Sequence, residues 1–226
     1  MKIGILQCGA VPEELEAEHG RYGAMVQRLL PPARDTVLHD VTAGDLPHSP
    51  TDCEAWLLTG SPAGVYDDLP WIAPLMAFLR QARGRTKLVG ICFGHQAMAQ
   101  AWGGRVVKSP KGWGIGLHRY DVRQPAAWME DRAAVHVPAS HQDQVVEAPA
   151  GARVTIANEF TPLAGLDYGD AVSFQCHPEF TPEFGVALLQ SRRDRFGPLA
   201  GPAIASLARP HDCARVAQWI RRFLEG

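Results

Sequence analysis

Residues 86–104 read TKLVGICFGHQAMAQAWGG, a pattern typical of a buried strand that leads through a cysteine directly into a helix. The run that ends at Ile91 is apolar and contains β-branched residues. The part from Phe93 onward carries the helix-forming residues Ala, Met and Gln and stops at two glycines. Cys92 therefore lies at a corner between a strand and a helix.

The glycines on either side of this corner, Gly90 and Gly94, permit a tight turn at the end of the strand. Such a corner can hold Cys92 at the edge of a sheet with its sulfur facing a cleft. The free N–H groups and positive potential of the helix N-terminus favour a thiolate there. A free cysteine is also a common small core residue, so the corner alone leaves both roles open.

The chain has 226 residues, and because no linker is visible we predict a single domain over residues 1–226. Its 22 Lys and Arg residues nearly balance 24 Asp and Glu residues, which gives a net charge of -2 without a basic stripe. Nucleic acid and a membrane surface are therefore not indicated as partners. A small neutral or zwitterionic substrate is compatible with this composition.

The N-terminal sequence MKIGILQCGA has too few apolar residues for a signal peptide, and no run approaches the ~18 apolar residues of a membrane span. We therefore expect a cytoplasmic protein. The five cysteines, at positions 8, 53, 92, 176 and 213, are odd in number and include no C-x-x-C pair. Free thiols are expected, without a disulfide framework, a zinc site or another cofactor.

The first part of the chain alternates strand-like and helical patterns. The predicted elements are a strand, a loop entering a helix that Pro31-Pro32 ends, two strands, a helix and the strand before Cys92: Lys2 to Gln7, Glu13 to Leu30, Asp35 to Val41, Ala55 to Thr59, Trp71 to Arg83 and Lys87 to Ile91. This order predicts a three-layer, doubly wound (flavodoxin-like) α/β fold with a mostly parallel sheet. Ligands of such sheets bind beyond the carboxyl ends of the strands.

Residues 105–176 contain short apolar runs between Gly, Pro and Ser turns. They predict an additional antiparallel region: Arg105 to Val107, Leu117 to Val122, Ala134 to Val137, Arg153 to Ala157, Leu163 to Asp167 and Ala171 to Cys176, the last two joined by a hairpin turn at Tyr168 to Asp170. Two helices are predicted after them, from Pro182 to about Arg195 and from Asp212 to Leu224.

His177 and Glu179 are two residues apart in the segment FQCHPEF. If that segment is extended, both side chains project from the same face. Beside Cys92, His177 would take the thiol proton and Glu179 would orient the imidazole. Taken singly, His177 is equally compatible with a structural histidine, and Glu179 with a carboxylate near the positive end of the next helix.

A thiolate that attacks an amide carbonyl creates an oxyanion, which needs hydrogen-bond donors already in position. The backbone N–H of Phe93, directly after the cysteine, is one candidate. The second is the N–H of Ser61 or Gly60 in the loop GSPAG, because Pro62 biases Ser61 toward an extended backbone. The same loop is also compatible with an ordinary turn.

Four motifs together resemble a known family: GICFGHQ at the corner, LLTGSPAGVYDD before it, ASHQDQV, and the late FQCHPEF. Over about residues 1–195 the chain is similar to the class I glutamine amidotransferases, and in particular to free-standing members that resemble the glutaminase domain of GMP synthase. The G-x-C-x-G-x-Q element, with H-P-E beginning 85 residues after its cysteine, is highly specific.

The resemblance implies a Cys-His-Glu triad of Cys92 as nucleophile, His177 as base and Glu179 as its partner. Phe93 and Ser61 match the oxyanion-hole positions, although several family members have glycine where this chain has Ser61. Five further residues match positions that line the glutamine pocket: Gln96, Gln142, Asp143, Ser140 and His141.

Other residues near these motifs are candidates for the wall of the pocket or for its surroundings. His141 is interpreted as part of the pocket wall in preference to a second base, and His95 as structural. The segments 8–22 and 109–117 are expected to flank the cleft. Trp113 is interpreted as a lid, as a wall on the acceptor side or as a packing residue. Three further residues are interpreted either as ligands of the substrate's α-carboxylate or as surface residues: Arg21, Tyr22 and Tyr66.

The resemblance also implies a reaction, hydrolysis of the γ-amide of glutamine through a γ-glutamyl thioester. In the family the ammonia usually passes to a synthetase, and since the residues after Glu179 are too few for an ATP-binding module, a separate synthetase partner is implied. Two alternatives stay open. One is a self-sufficient γ-glutamyl peptidase or hydrolase acting on γ-glutamyl conjugates or amines, and the other is a non-catalytic binding or regulatory module.

Overall fold

The computed structural model describes residues 1–30 and 34–226. The strands of this part of the chain are β1 (Lys2–Gln7), β2 (Asp35–Asp40), β3 (Ala55–Leu58), β4 (Lys87–Ile91), β5 (Arg105–Lys108), β6 (Gly114–Val122), β7 (Val135–His141), β8 (Asp143–Glu147), β9 (Arg153–Ala157), β10 (Gly165–Asp167) and β11 (Ala171–Phe174). Its α-helices are α1 (Glu13–His19), α2 (Tyr22–Gln27), α3 (Ile72–Ala82), α4 (Phe93–Ala101), α5 (Pro182–Ser191), α6 (Arg193–Phe196), α7 (Ala200–Ser206) and α8 (Cys213–Glu225). None of the described helices is long and apolar enough to cross a membrane.

Nine of these strands form one sheet in the order β2-β1-β3-β4-β11-β10-β9-β6-β7, and β5 pairs with β8 separately. The five strands from β2 to β11 run parallel to one another. From β11 onward each neighbouring pair is antiparallel. The predicted α/β fold with an additional antiparallel region is confirmed, and the antiparallel strands β10, β9, β6 and β7 extend the same sheet.

The parallel half of the sheet is buried on both faces, because successive residues of a strand point in opposite directions. Leu57 and Val89 join a core that includes residues of α2 and α8. Their neighbours Leu58 and Leu88 join a second core with residues of α3 and α4. Helices therefore cover both faces of the sheet, which gives the predicted three layers.

Residues 13–30 are not a loop entering one helix. They form α1 and α2, which are separated at Gly20, where the backbone φ of 79° favours a residue without a Cβ. Only α2 buries side chains in the core. The predicted helix end at Pro31-Pro32 lies outside the described residues.

The predicted helix from Pro182 to Arg195 is wrong in its last turn. α5 ends at Ser191, and Arg192 leaves the helical conformation with φ of -114° before α6 begins. α7 is missing from the sequence-based prediction, since its segment contains glycine and proline. Pro202 is tolerated there because it lies in the first turn, where the N–H has no partner within the helix.

Two strands differ from the prediction near the cleft. β7 continues beyond Val137 to His141, and β8, which begins at Asp143, is missing from the prediction. The hairpin turn between β10 and β11 is as predicted, with Tyr168 N–H donating to the carbonyl of Ala171 at 2.8 Å. The added strands carry the segment SHQD to the carboxyl end of the parallel strands.

Candidate active site

Cys92 lies at the corner between β4 and α4, as predicted. Its φ is 51°, and it is the one non-glycine residue with positive φ among residues 1–30 and 34–226. Its N–H donates to the carbonyl of Phe174 at the end of β11, at 2.8 Å. Such a backbone costs roughly 1–3 kcal/mol and persists only where surrounding contacts impose it. The corner therefore holds the sulfur in a strained position beyond the strand ends.

The two glycines of the corner are required by close packing. A Cβ on Gly90 would lie 2.6 Å from the sulfur of Met98 and from the backbone of Gly94. A Cβ on Gly94 would lie 2.6 Å from the Cβ of Leu58 and 2.9 Å from its carbonyl oxygen. α4 therefore packs directly against β3 and β4, which is the physical reason for the G-x-C-x-G pattern.

His177 and Glu179 are paired, although not for the reason the sequence suggests. β11 ends at Phe174, and the chain turns, with the N–H of Phe180 donating to the carbonyl of His177 at 3.3 Å. The strand predicted to end at Cys176 is thus two residues too long, and residues 177–179 are not extended. The turn nevertheless brings Nδ1 of His177 to 2.8 Å from Oε1 of Glu179. Both side chains are almost fully buried.

Gly60 lies where Cys92 and His177 come together. A Cβ on this glycine would be 3.2 Å from Cε1 of His177 and 3.6 Å from Cβ of Cys92. The cysteine and the imidazole, from segments far apart in the sequence, therefore border the same small space. Nε2 of His177, the nitrogen not paired with Glu179, is buried and has no hydrogen-bond partner within the described residues.

The charge of His177 follows from its surroundings. Burial disfavours a charged ring, but the carboxylate of Glu179 and the sulfur of Cys92 outweigh it and raise the pKa of His177 to about 10. The ring of Phe180 stacks on the imidazole, with centroids 4.0 Å apart. The imidazole is therefore a shielded cation at neutral pH, next to the sulfur of Cys92.

The charge of His177 leads to a prediction for the free energy of unfolding of the Glu179→Gln variant. Because the pKa of His177 is raised above its ordinary value of 6.5, the charged pair stabilises the folded protein fully below pH 6.5 and loses that effect as the pH approaches about 10. The difference in free energy of unfolding between wild type and Glu179→Gln should be largest below pH 6.5 and shrink toward pH 10. Urea denaturation across this range measures it, and a difference that does not change with pH would mean that His177 is uncharged in the folded protein.

The candidate oxyanion donors lie on two sides of Cys92. Phe93 is in the first turn of α4, where N–H groups have no partner within the helix. The N–H groups of Gly60 and Ser61 have no acceptor among the residues that the structure describes. Their loop is held in place because Thr59 Oγ1 donates to the carbonyl of Gly60 at 2.9 Å and accepts the N–H of Cys8 at 2.9 Å.

A cavity of about 250 Å³ opens beside Cys92. Its lining includes seven residues that the sequence assigns to the site: Ser61, Cys92, Gln96, Ser140, His141, Gln142 and Asp143. His177 lines a narrow neighbouring pocket that Cys92 and Gly60 also border. The structure therefore brings the predicted pocket residues together around the cysteine.

The family model described as Glutamine amidotransferase class-I matches residues 35–191, which contain all of these residues. The chain belongs to the class-I glutamine amidotransferase family. A glutamine amidotransferase from Thermotoga maritima superposes on this amidotransferase with a TM-score of 0.80 over 99% of both chains at 18% identity, a likeness of fold.

Three curated relatives of this amidotransferase extend the comparison. A glutamine amidotransferase-like protein of Schizosaccharomyces pombe is 29% identical over 80% of this chain and 80% of its own length. Gamma-glutamyl peptidase 3 of Arabidopsis thaliana is 30% identical over 58% of this chain and 56% of its own length. The glutamine-hydrolyzing GMP synthase of Corynebacterium efficiens is 33% identical over 70% of this chain and 31% of its own length. The chain thus spans about half of the peptidase and a third of the synthase.

Polar side chains of the amidotransferase pocket are fixed by hydrogen bonds. Nε2 of Gln96 donates to the carbonyl of Asp143 at 2.9 Å and to Oε1 of Gln175 at 3.1 Å. Burial raises the pKa of Asp143, and a hydrogen bond from Tyr66 opposes that rise. The half-buried carboxylate of Asp143 is thus held at the wall of the cavity next to Gln142.

The two other histidines near the cysteine are neutral. Burial lowers the pKa of His141 to about 3, and its ring nitrogens lie 3.3 Å from the carbonyl of Asp143 and 3.5 Å from the hydroxyl of Thr161. These contacts favour a wall over a second base. Burial also lowers the pKa of His95 to about 3, and its Nδ1 lies 2.8 Å from Ser173 Oγ.

Four residues that line the cavity of the amidotransferase lie outside the four sequence motifs: Lys108, Trp113, Arg192 and Arg195. Trp113 lines the cavity and also packs on Phe196, with ring centroids 5.1 Å apart. The guanidinium of Arg195 lies 4.6 Å from its ring centroid. The basic segment SRRDR, residues 191–195, is the one sequence signal for the arginines. Arg21, by contrast, pairs with Glu16 at 3.1 Å and does not line the cavity.

Proposed function

We propose that this chain hydrolyses the γ-amide of glutamine through a γ-glutamyl thioester on Cys92 and supplies the ammonia to a separate synthetase. The observation that supports this most directly is the meeting of Cys92 with the buried His177-Glu179 pair around Gly60, at the edge of a cavity. Membership of the class-I glutamine amidotransferase family gives the reaction class.

The first half of the reaction forms the thioester. The Cys92 thiolate attacks the γ-carbonyl carbon, and the electron pair moves to the oxygen, where the N–H of Phe93 and that of Ser61 or Gly60 stabilise it. When the tetrahedral intermediate collapses, the carbon–nitrogen bond breaks. The imidazolium of His177 gives its proton to the departing nitrogen, which leaves as ammonia.

The second half releases glutamate. Neutral His177 takes a proton from a water molecule that attacks the thioester carbonyl, and the carbon–sulfur bond breaks. This restores the thiolate and the imidazolium. Glu179 keeps the ring oriented and stabilises its charged form throughout, since Nδ1 faces its carboxylate at 2.8 Å.

Glutamine is a zwitterion, and the cavity offers groups of both signs. We assign the α-ammonium group to the carboxylate of Asp143 and the α-carboxylate to the cationic side of the cavity formed by Lys108, Arg192 and Arg195. Gln96 and Gln142, with Ser140 and His141, would form the walls between them. A net charge of -2 without a basic stripe agrees with such a small substrate.

A separate synthetase partner is supported by the glutamine-hydrolyzing GMP synthase of Corynebacterium efficiens, of which the match covers 31% of the length. We also propose that residues 1–226 form one domain, because the cavity takes residues from Ser61 to Arg195. All five cysteines are free, which agrees with a reducing compartment such as the cytoplasm.

A second candidate is a γ-glutamyl peptidase that needs no partner. It is favoured by the similarity to gamma-glutamyl peptidase 3 and by the cationic residues of the cavity, which suit a substrate with a second carboxylate. Both candidates use the same thioester, so they differ in the leaving group rather than in the triad.

The test compares substrates on the purified chain. We expect slow ammonia release from glutamine, and acid quenching should trap one γ-glutamyl group on the peptide that contains Cys92. Glutathione and γ-glutamyl amines are run in parallel. A kcat/KM for glutathione clearly above that for glutamine would favour the peptidase, whereas no product and no adduct with any of these substrates would contradict both candidates.

A further inference from the structure

A narrow pocket of about 20 Å³ lies on the His177 side of Cys92, next to the main cavity. Six of its lining residues matter for the argument: Tyr22, Gly60, Cys92, His177, Phe180 and Arg192. A space of this size holds about one water-sized molecule. The room beside the imidazole is therefore much smaller than the cavity that would hold the rest of the substrate.

Proton transfer from His177 to the leaving group indicates what this pocket holds during the reaction. A leaving group that takes its proton from His177 must depart through space bordered by both His177 and Cys92. The large cavity is bordered by Cys92 but not by His177, whereas the narrow pocket is bordered by both. A leaving group that His177 protonates would therefore depart into the narrow pocket.

Tyr22 and Arg192 both line this pocket and lie next to each other. Tyr22 is only 6% exposed, and its ring packs parallel to Phe180 at 6.4 Å and edge-on to Phe184 at 6.2 Å. Phe180 in turn stacks on His177. Burial raises the pKa of Tyr22 to about 12, and the nearby guanidinium of Arg192 opposes that rise.

The two residues come from opposite ends of the chain. Tyr22 begins α2, and Arg192 is the non-helical residue that separates α5 from α6. Both lie outside residues 35–191, the part that matches the family model. Two of the residues that line this pocket thus lie outside the matched part of the chain, whereas the other lining residues lie within it.

We propose that Tyr22 and Arg192 form a gate over the leaving-group pocket that admits ammonia or a small amine and excludes larger leaving groups. The gate rests on the function proposed above, and it makes leaving-group size the property that the site selects. It favours the glutaminase over a peptidase, because an amino acid or peptide does not fit the narrow pocket.

The test measures kcat/KM for glutamine, γ-glutamyl methylamide and γ-glutamyl p-nitroanilide. Wild type should lose activity steeply along this series. Arg192→Ala should raise the ratio of kcat/KM for the anilide to kcat/KM for glutamine by about tenfold or more, because the substitution removes one side of the gate. Tyr22→Leu should also raise this ratio. Because Tyr22 is buried, the thermal unfolding of this variant is measured as well.

Arg193→Ala is the matched control, because Arg193 is exposed and does not line either pocket. It should leave the ratio unchanged. If Arg192→Ala lowers kcat/KM for all three substrates by the same factor, Arg192 acts through overall structure or through binding of the substrate carboxylate. That result would overturn the gate. So would a wild type that hydrolyses the anilide as efficiently as glutamine. If wild type turns over none of the three, the proposed function itself fails, and the gate with it.

Discussion

Replacing Cys92 with alanine is expected to abolish γ-glutamyl hydrolysis, with kcat/KM for glutamine falling by at least about 10⁴-fold. The thioester cannot form without the sulfur, and what activity remains comes from binding and from the oxyanion donors. Cys92→Ser should be nearly as inactive, since the serine hydroxyl is a far weaker nucleophile at its ordinary pKa. Ammonia release and the trapped γ-glutamyl adduct measure the loss.

The matched control is Cys53→Ala. Cys53 is buried like Cys92, but it packs in the core with residues of α3 and lies outside the pockets around the cysteine corner. The variant should keep its glutaminase activity even if it is less stable. Equal activity of wild type and Cys92→Ala would remove Cys92 from the mechanism, whatever the behaviour of the control.

The corner at Cys92 is predictable from sequence because every residue that shapes it is local. The apolar run of β4, the glycines at 90 and 94 and the helix formers of α4 lie within a few residues of one another. The steric conflicts that a Cβ would cause at both glycines explain why this short pattern specifies one geometry. Local constraints of this kind need no knowledge of the rest of the fold.

The His177-Glu179 pair shows a prediction that is right for an incomplete reason. A spacing of two residues brings side chains together in an extended strand, but also in the tight turn that follows β11. Sequence spacing alone does not distinguish these two backbones. It predicts that the imidazole and the carboxylate meet, and it leaves their direction relative to the sheet undetermined.

The role proposed for Tyr22 and Arg192 could not be predicted from sequence patterns, although Tyr22 is named from the sequence as a candidate ligand of a substrate carboxylate. Their contribution depends on where α2 and the break after α5 lie around the finished sheet, which is a property of tertiary packing. The end of α5 at Arg192 is also not marked by a glycine or proline, since the neighbouring residues are serine and arginine. The motifs around Cys92 and His177 are local in sequence, whereas the selectivity proposed for the gate depends on long-range contacts.

Substituting Gly94 with alanine is expected to destabilise the fold by about 1–3 kcal/mol or more, because its Cβ would lie 2.6 Å from the Cβ of Leu58. Activity should fall with it, since moving α4 away from β3 displaces Cys92 from His177, and small displacements of catalytic groups cost roughly 10²-fold in rate. Urea denaturation and ammonia release measure the two effects.

Gly201→Ala is the control with the same chemical change. Gly201 lies in α7 with no atom within 4 Å of a built Cβ, so alanine there should stabilise the helix by up to about 1 kcal/mol. The two substitutions therefore have opposite expected signs, although both replace a helical glycine by the best helix former. If Gly94→Ala were as stable as wild type, close approach of α4 to the sheet would not be what requires glycine there. The sign of the difference in stability thus separates the effect of helix propensity from the effect of the packing that holds Cys92 in place.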